Sequence, residues 1–400
     1  MSMPLKVSLL SFSCVAIMYV DRAVIANAMI LMRKEFPISE SGAGIVFSSF
    51  AWGYVLGMPI AGLVGSRYST RLVVTVSCLL WTTAMLLMAT ATSTAGLIGS
   101  RFLLGLCEAP VFPCLARVVA ENHSVLFRAR ATAIFDSGSY AGPIIAGPWF
   151  VFVSSGCGWR SAIMILAALS GLFGIVWWLL APVPLVPVPT THAVRNMATI
   201  KEVCGDPRLQ LVSAGFFCYN FAKNFLFTWL PMFVVLEWGQ SGMFAASIGS
   251  MCFLFGLLGL TLSSVLTDRS IRSGGVPLRN RAVAASIGLL IGGLLALVPM
   301  ARPMDLKYVL LLLAAGGIVS AASAIWAIPS DLAATASLVP VVGAAQNTVA
   351  NLANIIAPLA IGWMRTTEGR FTYALGFTGA MSMFGALLFS FLSKVANDTR

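Results

Sequence analysis

Long apolar stretches recur along this chain of 400 residues, and they constrain its fold more than any other feature. A segment of about 20 apolar residues is long enough to cross the hydrocarbon core of a bilayer as an α-helix. Only 10% of the residues are charged and 58% are hydrophobic, whereas a soluble domain carries about 25% charged residues. The sequence therefore predicts an all-α, multi-pass membrane protein and excludes a single large soluble domain.

We predict twelve transmembrane helices in two groups of six. The predicted spans of the first half are Val7–Leu31, Ser41–Val64, Leu72–Thr90, Ala95–Ala116, Thr132–Val153 and Ala162–Leu180. The predicted spans of the second half are Leu209–Val235, Ala245–Leu266, Ala282–Val298, Tyr308–Ile328, Val339–Trp363 and Tyr373–Leu392. A segment rich in proline and charge separates the halves, and such a segment cannot continue a helix. We therefore predict an N-terminal six-helix bundle over 1–181, a cytoplasmic linker over 182–207 and a C-terminal six-helix bundle over 208–400.

The formal net charge of +11 comes mostly from Lys and Arg in the predicted loops. With both termini in the cytoplasm, fifteen of these cations lie on the cytoplasmic side and seven on the outer side. Such a bias is the positive-inside signal of membrane topology. We therefore predict cytoplasmic termini, and we interpret the basic balance as orientation rather than nucleic-acid binding.

Ionisable residues inside the spans are the first candidates for function, because charge at membrane depth is expensive and faces a bundle interior or a watery cavity. Asp21 and Arg22 interrupt the first span, and Arg101 and Glu108 interrupt the fourth. Consecutive helix residues point about 100° apart, so Asp21 and Arg22 need not pair with each other. Arg101 and Glu108 are about two turns apart, so we expect each to reach another helix. Two structural alternatives stay open, namely a neutralising pair that lets the first helix insert and an internal salt bridge in the fourth.

Several motifs are distributed over both halves: Tyr19-Val-Asp-Arg22, Phe50-Ala-Trp-Gly-Tyr54, Arg101-Phe-Leu-Leu-Gly-Leu-Cys-Glu-Ala-Pro110 through Pro113, Phe135-Asp-Ser-Gly138, Gly158-Trp-Arg160 and Asn347-Thr-Val-Ala-Asn351 through Pro358. With these motifs the chain resembles the major facilitator superfamily and, within it, the anion:cation symporter family. That family includes bacterial sugar-acid transporters and the animal sialin and vesicular glutamate carriers. The resemblance implies a twelve-helix major facilitator fold and localisation in a bacterial inner (plasma) membrane.

The resemblance also implies roles for the charged residues. It assigns Arg22 to the substrate carboxylate, which suits the paired N–H groups of a guanidinium. It assigns Asp21, Arg101 and Glu108 to proton coupling, with Glu108 as the main coupling group. Because the first and fourth helices pack together in this superfamily, we expect Asp21 to approach Arg101 and Glu108 to approach Arg22.

Further polar positions match those that line the sugar-acid site of related carriers, and ordinary helix packing is the alternative for each of them. These positions are Tyr54, Ser139, Ser323, Trp326 and Asn347. The remaining cation within a span is Lys223, which either contacts the substrate or extends toward the membrane surface.

Two loops are similar to the gating-loop signature of the superfamily. The charged residues that we assign to these gating loops are Arg67, Arg71, Asp268 and Arg269. In the first loop, Ser66 stands where an Asp is usual and Ser69 where a Gly is usual. Because the usual acid ties helix ends together in the outward-open state, we expect that state to be latched less well in this protein.

Taken together, these features predict a secondary active transporter that imports an organic anion, such as a hexonate, hexuronate or hexarate, by proton symport with alternating access. Sodium coupling stays open. One alternative is a proton-coupled efflux antiporter of drugs or metabolites on the same fold, which would have a larger, more apolar pocket and no need for Arg22. The stretch Gly138-Ser-Tyr-Ala-Gly142-Pro143 also resembles an antiporter motif, but related symporters carry Gly-Pro at this position too. A sensor that does not transport is a further alternative, although the predicted tails and linker are short for an output module.

Other classes of function lack support in the sequence. No GxxxxGK[ST] phosphate-binding loop, metal-ligand spacing or nucleophile–base constellation occurs. We therefore expect no enzyme activity, no metal and no cofactor beyond the ion gradient. The expected partners are the organic anion, protons and the lipid bilayer, and we expect a monomer.

Overall fold

The computed structural model describes residues 3–123, 125–182, 205–333 and 338–398. The helices before the predicted linker are α1 (Met3–Glu35), α2 (Glu40–Arg67), α3 (Thr70–Ala89), α4 (Thr94–Glu108), α5 (Val111–Asn122) and α6 (Val125–Leu180). The helices after it are α7 (Pro207–Thr228), α8 (Leu230–Trp238), α9 (Gly242–Arg272), α10 (Pro277–Gly292), α11 (Met304–Ala327), α12 (Pro329–Leu332), α13 (Val339–Glu368) and α14 (Thr372–Asp398). A short 3-10 helix, Gly293–Leu297, extends α10.

Within the described part of the chain, nine helices are long and apolar enough to cross a membrane. One of them is α6, whose 56 residues would measure about 84 Å as a straight helix, against a hydrocarbon core of about 30 Å. The backbone of α6 leaves the helical region at Gly158, with φ 80° and ψ 162°, so α6 supplies both the fifth and the sixth predicted spans. The pair α7–α8 supplies the seventh span and α13 the eleventh. The predicted all-α, twelve-span architecture is confirmed.

The fourth predicted span is not one continuous helix. It is divided into α4 and α5 at Ala109 and Pro110. Proline cannot donate a backbone hydrogen bond, so the regular helical bonding is interrupted here, although the backbone dihedrals of Ala109 and Pro110 stay in the helical region. The break makes Glu108 the last residue of α4.

Glycine brings α2 and α4 into backbone contact. A Cβ atom at Gly53 would lie 1.9 Å from the carbonyl oxygen of Phe102, and one at Gly105 would lie 2.0 Å from the carbonyl oxygen of Phe50. Only glycine fits where two backbones approach so closely, as in the small-residue contacts of membrane helices. Gly53 and Gly105 therefore place α4 directly beside the aromatic residues of α2.

A second glycine contact joins α1 and α6. A Cβ atom at Gly138 would lie 2.7 Å from the carbonyl oxygen of Phe12, and one at Gly142 would lie 2.7 Å from that of Ala16. These are the glycines of the motif that also resembles an antiporter signature. In this protein they allow α1 to pack on α6.

The contacts of the described residues divide the chain into two compact units. The first contains the described residues up to 182 together with Leu230–Ser250, and the second contains 205 to Trp229 and Met251 onward. Most of the predicted linker, residues 182–207, lies outside the described residues, so the domain boundaries proposed from the sequence stay a prediction.

Candidate functional site

In the first unit, the candidate site centres on an ion pair between α1 and α4. The Nε atom of Arg22 donates to Oε2 of Glu108 over 2.6 Å. The side chain of Glu108 is fully buried, and that of Arg22 is 14% exposed. The contact expected between these two residues is therefore present. A charge-assisted hydrogen bond is strong in a low-dielectric environment, and burial keeps water from screening this one.

Aromatic rings surround the guanidinium of Arg22. Its Cζ atom lies 4.7 Å from the ring centroids of Tyr19 and Phe50 and 5.1 Å from that of Tyr54. These distances are within cation–π range. The structure thus brings the predicted site residue Tyr54 beside Arg22, and it adds Tyr19 and Phe50.

Arg101 is buried and contacts the same aromatic cluster through Phe50. Its side chain is 3% exposed, and its Cζ lies 5.0 Å from the ring centroid of Phe50. Within the described part of the chain, its Nε and Nη1 atoms have no hydrogen-bond partner, and neither has Oε1 of Glu108. Buried polar atoms without partners are rare and costly, so their concentration here points to a site that binds ligands or protons.

Asp21 faces a different neighbour from the one predicted. Its Oδ2 accepts a 2.7 Å hydrogen bond from the hydroxyl of Ser170 on α6, and its Oδ1 has no partner among the described residues. No hydrogen bond or ion pair joins Asp21 to Arg101 in this part of the chain, so that expectation was wrong. The reason is the rotation of about 100° between consecutive helix residues, which turns Asp21 toward α6 when Arg22 faces α4.

Ser139 lies on α6 in the first unit and is buried. Two other predicted site residues lie on α11 in the second unit. The indole of Trp326 is 53% exposed and meets the ring of Phe216 edge-on at 5.1 Å. The hydroxyl of Ser323 turns back to the carbonyl of Ser320 over 3.4 Å.

Lys223 and Asn347 also lie in the second unit. The Nζ atom of Lys223 is 5.1 Å from the ring centroid of Tyr219 and 5.8 Å from that of Phe227. The Oδ1 atom of Asn347 accepts a 3.1 Å hydrogen bond from Nδ2 of Asn351. The substrate contacts predicted for these residues stay predictions.

The first predicted gating loop contains a side-chain cap. The hydroxyl of Ser69 accepts a 3.2 Å hydrogen bond from the backbone N–H of Leu72, so Ser69 is the N-cap of α3. Serine suits this position because its oxygen satisfies an otherwise unpaired N–H group of the first turn. The guanidinium of Arg71 lies 4.6 Å from the ring centroid of Trp178, and Arg67 is exposed.

A residue that the sequence did not single out also binds this loop. Arg117 on α5 donates to the backbone carbonyl of Gly65 over 2.7 Å and pairs with Glu121 at 2.7 Å. Arg117 therefore ties the end of α2 to α5. The side chain of Ser66 lies outside the described part of the chain, so the weaker latch stays a prediction. In the second loop, Asp268 and Arg269 are exposed.

The sequence analysis did not assign three residues that the structure places at the site, and only two of them could have been predicted. Tyr19 and Phe50 lie within recognised motifs, and the spacing of Tyr19 three residues before Arg22 places both on one helix face. Ser170 has no comparable signal, because a serine in an apolar span usually bonds to its own helix. No group of three or more His, Cys, Asp or Glu residues is placed to hold a metal ion within the described ranges.

Comparison with known proteins identifies the family and relatives of this chain. The model of the Major Facilitator Superfamily matches residues 11–358. The probable galactarate/D-glucarate transporter GudP of Escherichia coli K12 is 26% identical over 419 residues, which cover 96% of this chain and 91% of that protein. The probable sulfoacetate transporter SauU of Cupriavidus necator is 27% identical over 399 residues, which cover 95% of this chain and 91% of that protein.

The fold has a close counterpart among solved structures. A bacterial homolog of the human lysosomal transporter Spinster, in an inward-facing and unoccupied conformation, has a TM-score of 0.84 at 17% identity. The match covers 100% of this chain and 98% of that one. That match shows the fold, whereas the family model and the curated relatives are those of transporters, so the protein is a multi-pass membrane transporter and not an enzyme. Since the family model covers most of its length, the chain belongs to the major facilitator superfamily.

Proposed function

We propose that this protein imports a sugar acid together with protons by alternating access. In this proposal it acts as a monomer in a bacterial inner membrane, with both termini in the cytoplasm. The observation that carries the proposal is the ion pair between Arg22, whose side chain retains some exposure, and the fully buried Glu108. A guanidinium beside a protonatable carboxyl group provides both an anion site and a means of coupling it to protons.

The coupling follows from competition for Arg22. The carboxylate of Glu108 occupies the guanidinium in the same way that a substrate carboxylate would. A protonated Glu108 carries no charge and competes weakly, so the substrate replaces it on Arg22. The proton and the anion therefore bind together, as symport requires.

Charge balance leads to the same conclusion. With all groups ionised, Arg22 and Arg101 balance Asp21 and Glu108. Adding an anion to this balanced cluster would bury an uncompensated negative charge, which is unfavourable in a low-dielectric environment. A proton on Glu108 restores the charge balance. The free-energy cost of reorienting the loaded carrier is therefore lower when the carrier also holds that proton.

The substrate class rests on two features. GudP is named for transport of galactarate and D-glucarate, which are carboxylates with several hydroxyl groups. The amide of Asn347 suits hydroxyl oxygens, since its nitrogen supplies two donors. An efflux antiporter of apolar compounds would have little use for a buried Arg22 paired with an acid.

The test of coupling is Glu108→Gln in proteoliposomes. A Gln mimics the protonated acid permanently, so the empty carrier cannot reset by releasing a proton. We expect loss of uphill accumulation on a proton gradient, whereas binding and exchange of labelled for unlabelled substrate survive. Glu368→Gln, an exposed neutralisation at the end of α13, is the matched control and is expected to behave as wild type.

Two outcomes would contradict the proposal. Accumulation at the wild-type level in Glu108→Gln would exclude Glu108 as the coupling group. Simultaneous loss of binding and exchange would instead indicate that the pair with Arg22 is structural.

A further inference from the structure

The second unit contains a row of amide side chains, of which the proposed function uses only Asn347. Asn347, Asn351 and Asn354 follow one another at spacings of four and three residues on α13, so they lie on one helix face. Asn224 and Thr228 are four residues apart on α7, the helix that packs against α13. Asn224 and Thr228 are both buried.

These side chains form one continuous chain of hydrogen bonds. The hydroxyl of Thr228 lies 2.8 Å from the backbone carbonyl oxygen of Asn224 and 3.1 Å from its Oδ1, so its one proton is shared between these two acceptors. Nδ2 of Asn224 donates to Oδ1 of Asn354 over 3.3 Å. Nδ2 of Asn354 donates to Oδ1 of Asn351 over 3.0 Å. Nδ2 of Asn351 then donates to Oδ1 of Asn347 over 3.1 Å. We call these five residues the amide chain.

The direction of the amide chain is fixed by the backbone. Nδ2 of Asn351 also lies 2.9 Å from the carbonyl oxygen of Asn347, which only accepts hydrogen bonds. Asn351 must therefore present its nitrogen to Asn347 and its oxygen to Asn354. Each following amide is then oriented in turn, because two nitrogens or two oxygens cannot face each other in a hydrogen bond.

The amide chain ends in a donor. The oxygen of Asn347 is engaged by Asn351, whereas its Nδ2 donates to no group within the described ranges. Asn347 is only partly buried, so these N–H groups are accessible to a ligand. Hydrogen bonds in series polarise one another, which strengthens the terminal donor.

We propose that Asn351, Asn354 and Asn224 are positioning residues that hold the amide of Asn347 with its N–H groups toward a substrate oxygen. This inference rests on the proposed function and assigns the second unit a specificity role: it selects acids that carry a hydroxyl or second carboxyl oxygen. A site built to hydrogen-bond such an oxygen discriminates against an analogue that lacks it, because its own polar group is then left unpaired. Without the amide chain, Asn347 would rotate freely and offer either its oxygen or its nitrogen.

The experiment compares transport of a hexonate with that of hexanoate, which lacks the hydroxyl groups. Asn351→Leu removes the link to Asn347 at similar volume. We expect KM for the hexonate to rise about tenfold, the size of one lost hydrogen bond. We expect kcat to stay within about twofold and hexanoate transport to change little. Asn351→Ser, whose short hydroxyl returns to the Asn347 carbonyl, provides a second variant if Asn351→Leu does not fold.

The chain offers a matched control on the same pair of helices. Asn220 on α7 is buried and donates to the backbone carbonyl of Ala350 on α13 over 3.0 Å, outside the amide chain. Asn220→Leu removes a hydrogen bond of the same kind between the same helices. We expect it to lower stability without changing the preference for the hexonate over hexanoate.

A double-mutant comparison tests the order of action. If Asn351 acts through Asn347, then Asn351→Leu adds nothing to the KM increase of Asn347→Leu. Fully additive effects, an equal loss for both substrates, or the same loss in Asn220→Leu would overturn the inference. Failure of the proposed function is distinguishable, since wild-type protein would then not accumulate a hexonate on a proton gradient.

Discussion

At the scale of single residues, Arg22 is the group whose chemistry depends most on its surroundings. Three aromatic rings cover its guanidinium, and one edge of it is held by Glu108. Aromatic faces stabilise a cation without competing for its N–H groups. The N–H groups that contact neither Glu108 nor the sulfur of Met18 therefore stay available to an anion. The planar fork, and not the positive charge alone, therefore determines the fit to a carboxylate.

This argument predicts that Arg22→Lys fails as a conservative change. It keeps the charge but loses the paired N–H groups, so binding of a hexarate should weaken by roughly 1.5–3 kcal/mol, the worth of a charge-assisted hydrogen bond. Thermal shift of purified protein measures this, because a ligand stabilises by RT ln(1 + [L]/Kd). Arg302→Lys, an exposed loop substitution, is the control, and a neutral hexitol checks that the shift requires the acid. Unchanged hexarate affinity in both Arg22→Lys and Arg22→Ala would contradict the assignment.

At the scale of helices, the backbone contact between α2 and α4 positions the site. Gly105 faces the carbonyl of Phe50, one turn before Glu108, while the ring of Phe50 contacts both arginines. The distance between the two helices therefore sets the distance between the aromatic cluster and the acid. A change at this contact would disturb the site without altering any charged residue.

Gly105→Ala tests this packing. The added methyl group would lie 2.0 Å from the carbonyl oxygen of Phe50, so the helices must separate. Overpacking of this kind costs typically about 1–3 kcal/mol, and we expect a lower Tm together with weaker substrate binding. Gly99→Ala on the same helix is the control, because a Cβ atom at Gly99 would meet no atom within 4 Å. We expect its Tm to be unchanged or slightly higher. Equal behaviour of the two variants would show that the contact is not critical.

The sequence predicts helices better than it predicts their partners. Hydropathy locates the spans because each must match the thickness of the bilayer, whatever its neighbours. It separates the fifth span from the sixth, but it does not locate the turn at Gly158 or the end of α4 beside Pro110, since both depend on local backbone geometry. The approach of Glu108 to Arg22 followed from the family resemblance. The hydrogen bond between Asp21 and Ser170 depends on the rotation of α1 about its axis, which cannot be predicted from a single sequence.

At the scale of the whole molecule, the two units supply different kinds of polar group. The first unit supplies the four charged residues of the candidate site: Asp21, Arg22, Arg101 and Glu108. The second supplies Lys223 and the amide chain, and no member of the amide chain changes charge between acidic and basic conditions. This contrast was invisible in the sequence, because the asparagines become connected only when α7 packs against α13.

Because the amide chain is uncharged, we expect the pH to change the affinity of the carrier but not its ranking of substrates. Since amides do not titrate, changing the external pH should raise or lower the apparent affinity for every accepted acid by a common factor. The ranking among epimers, which differ only in hydroxyl placement, should stay constant across that range. Competition of two epimeric hexonates at several pH values measures it, and a ratio that drifts with pH would mean that ionisable groups also read the hydroxyls. In such a transporter the external pH sets the rate of uptake, whereas the choice among substrates is independent of pH.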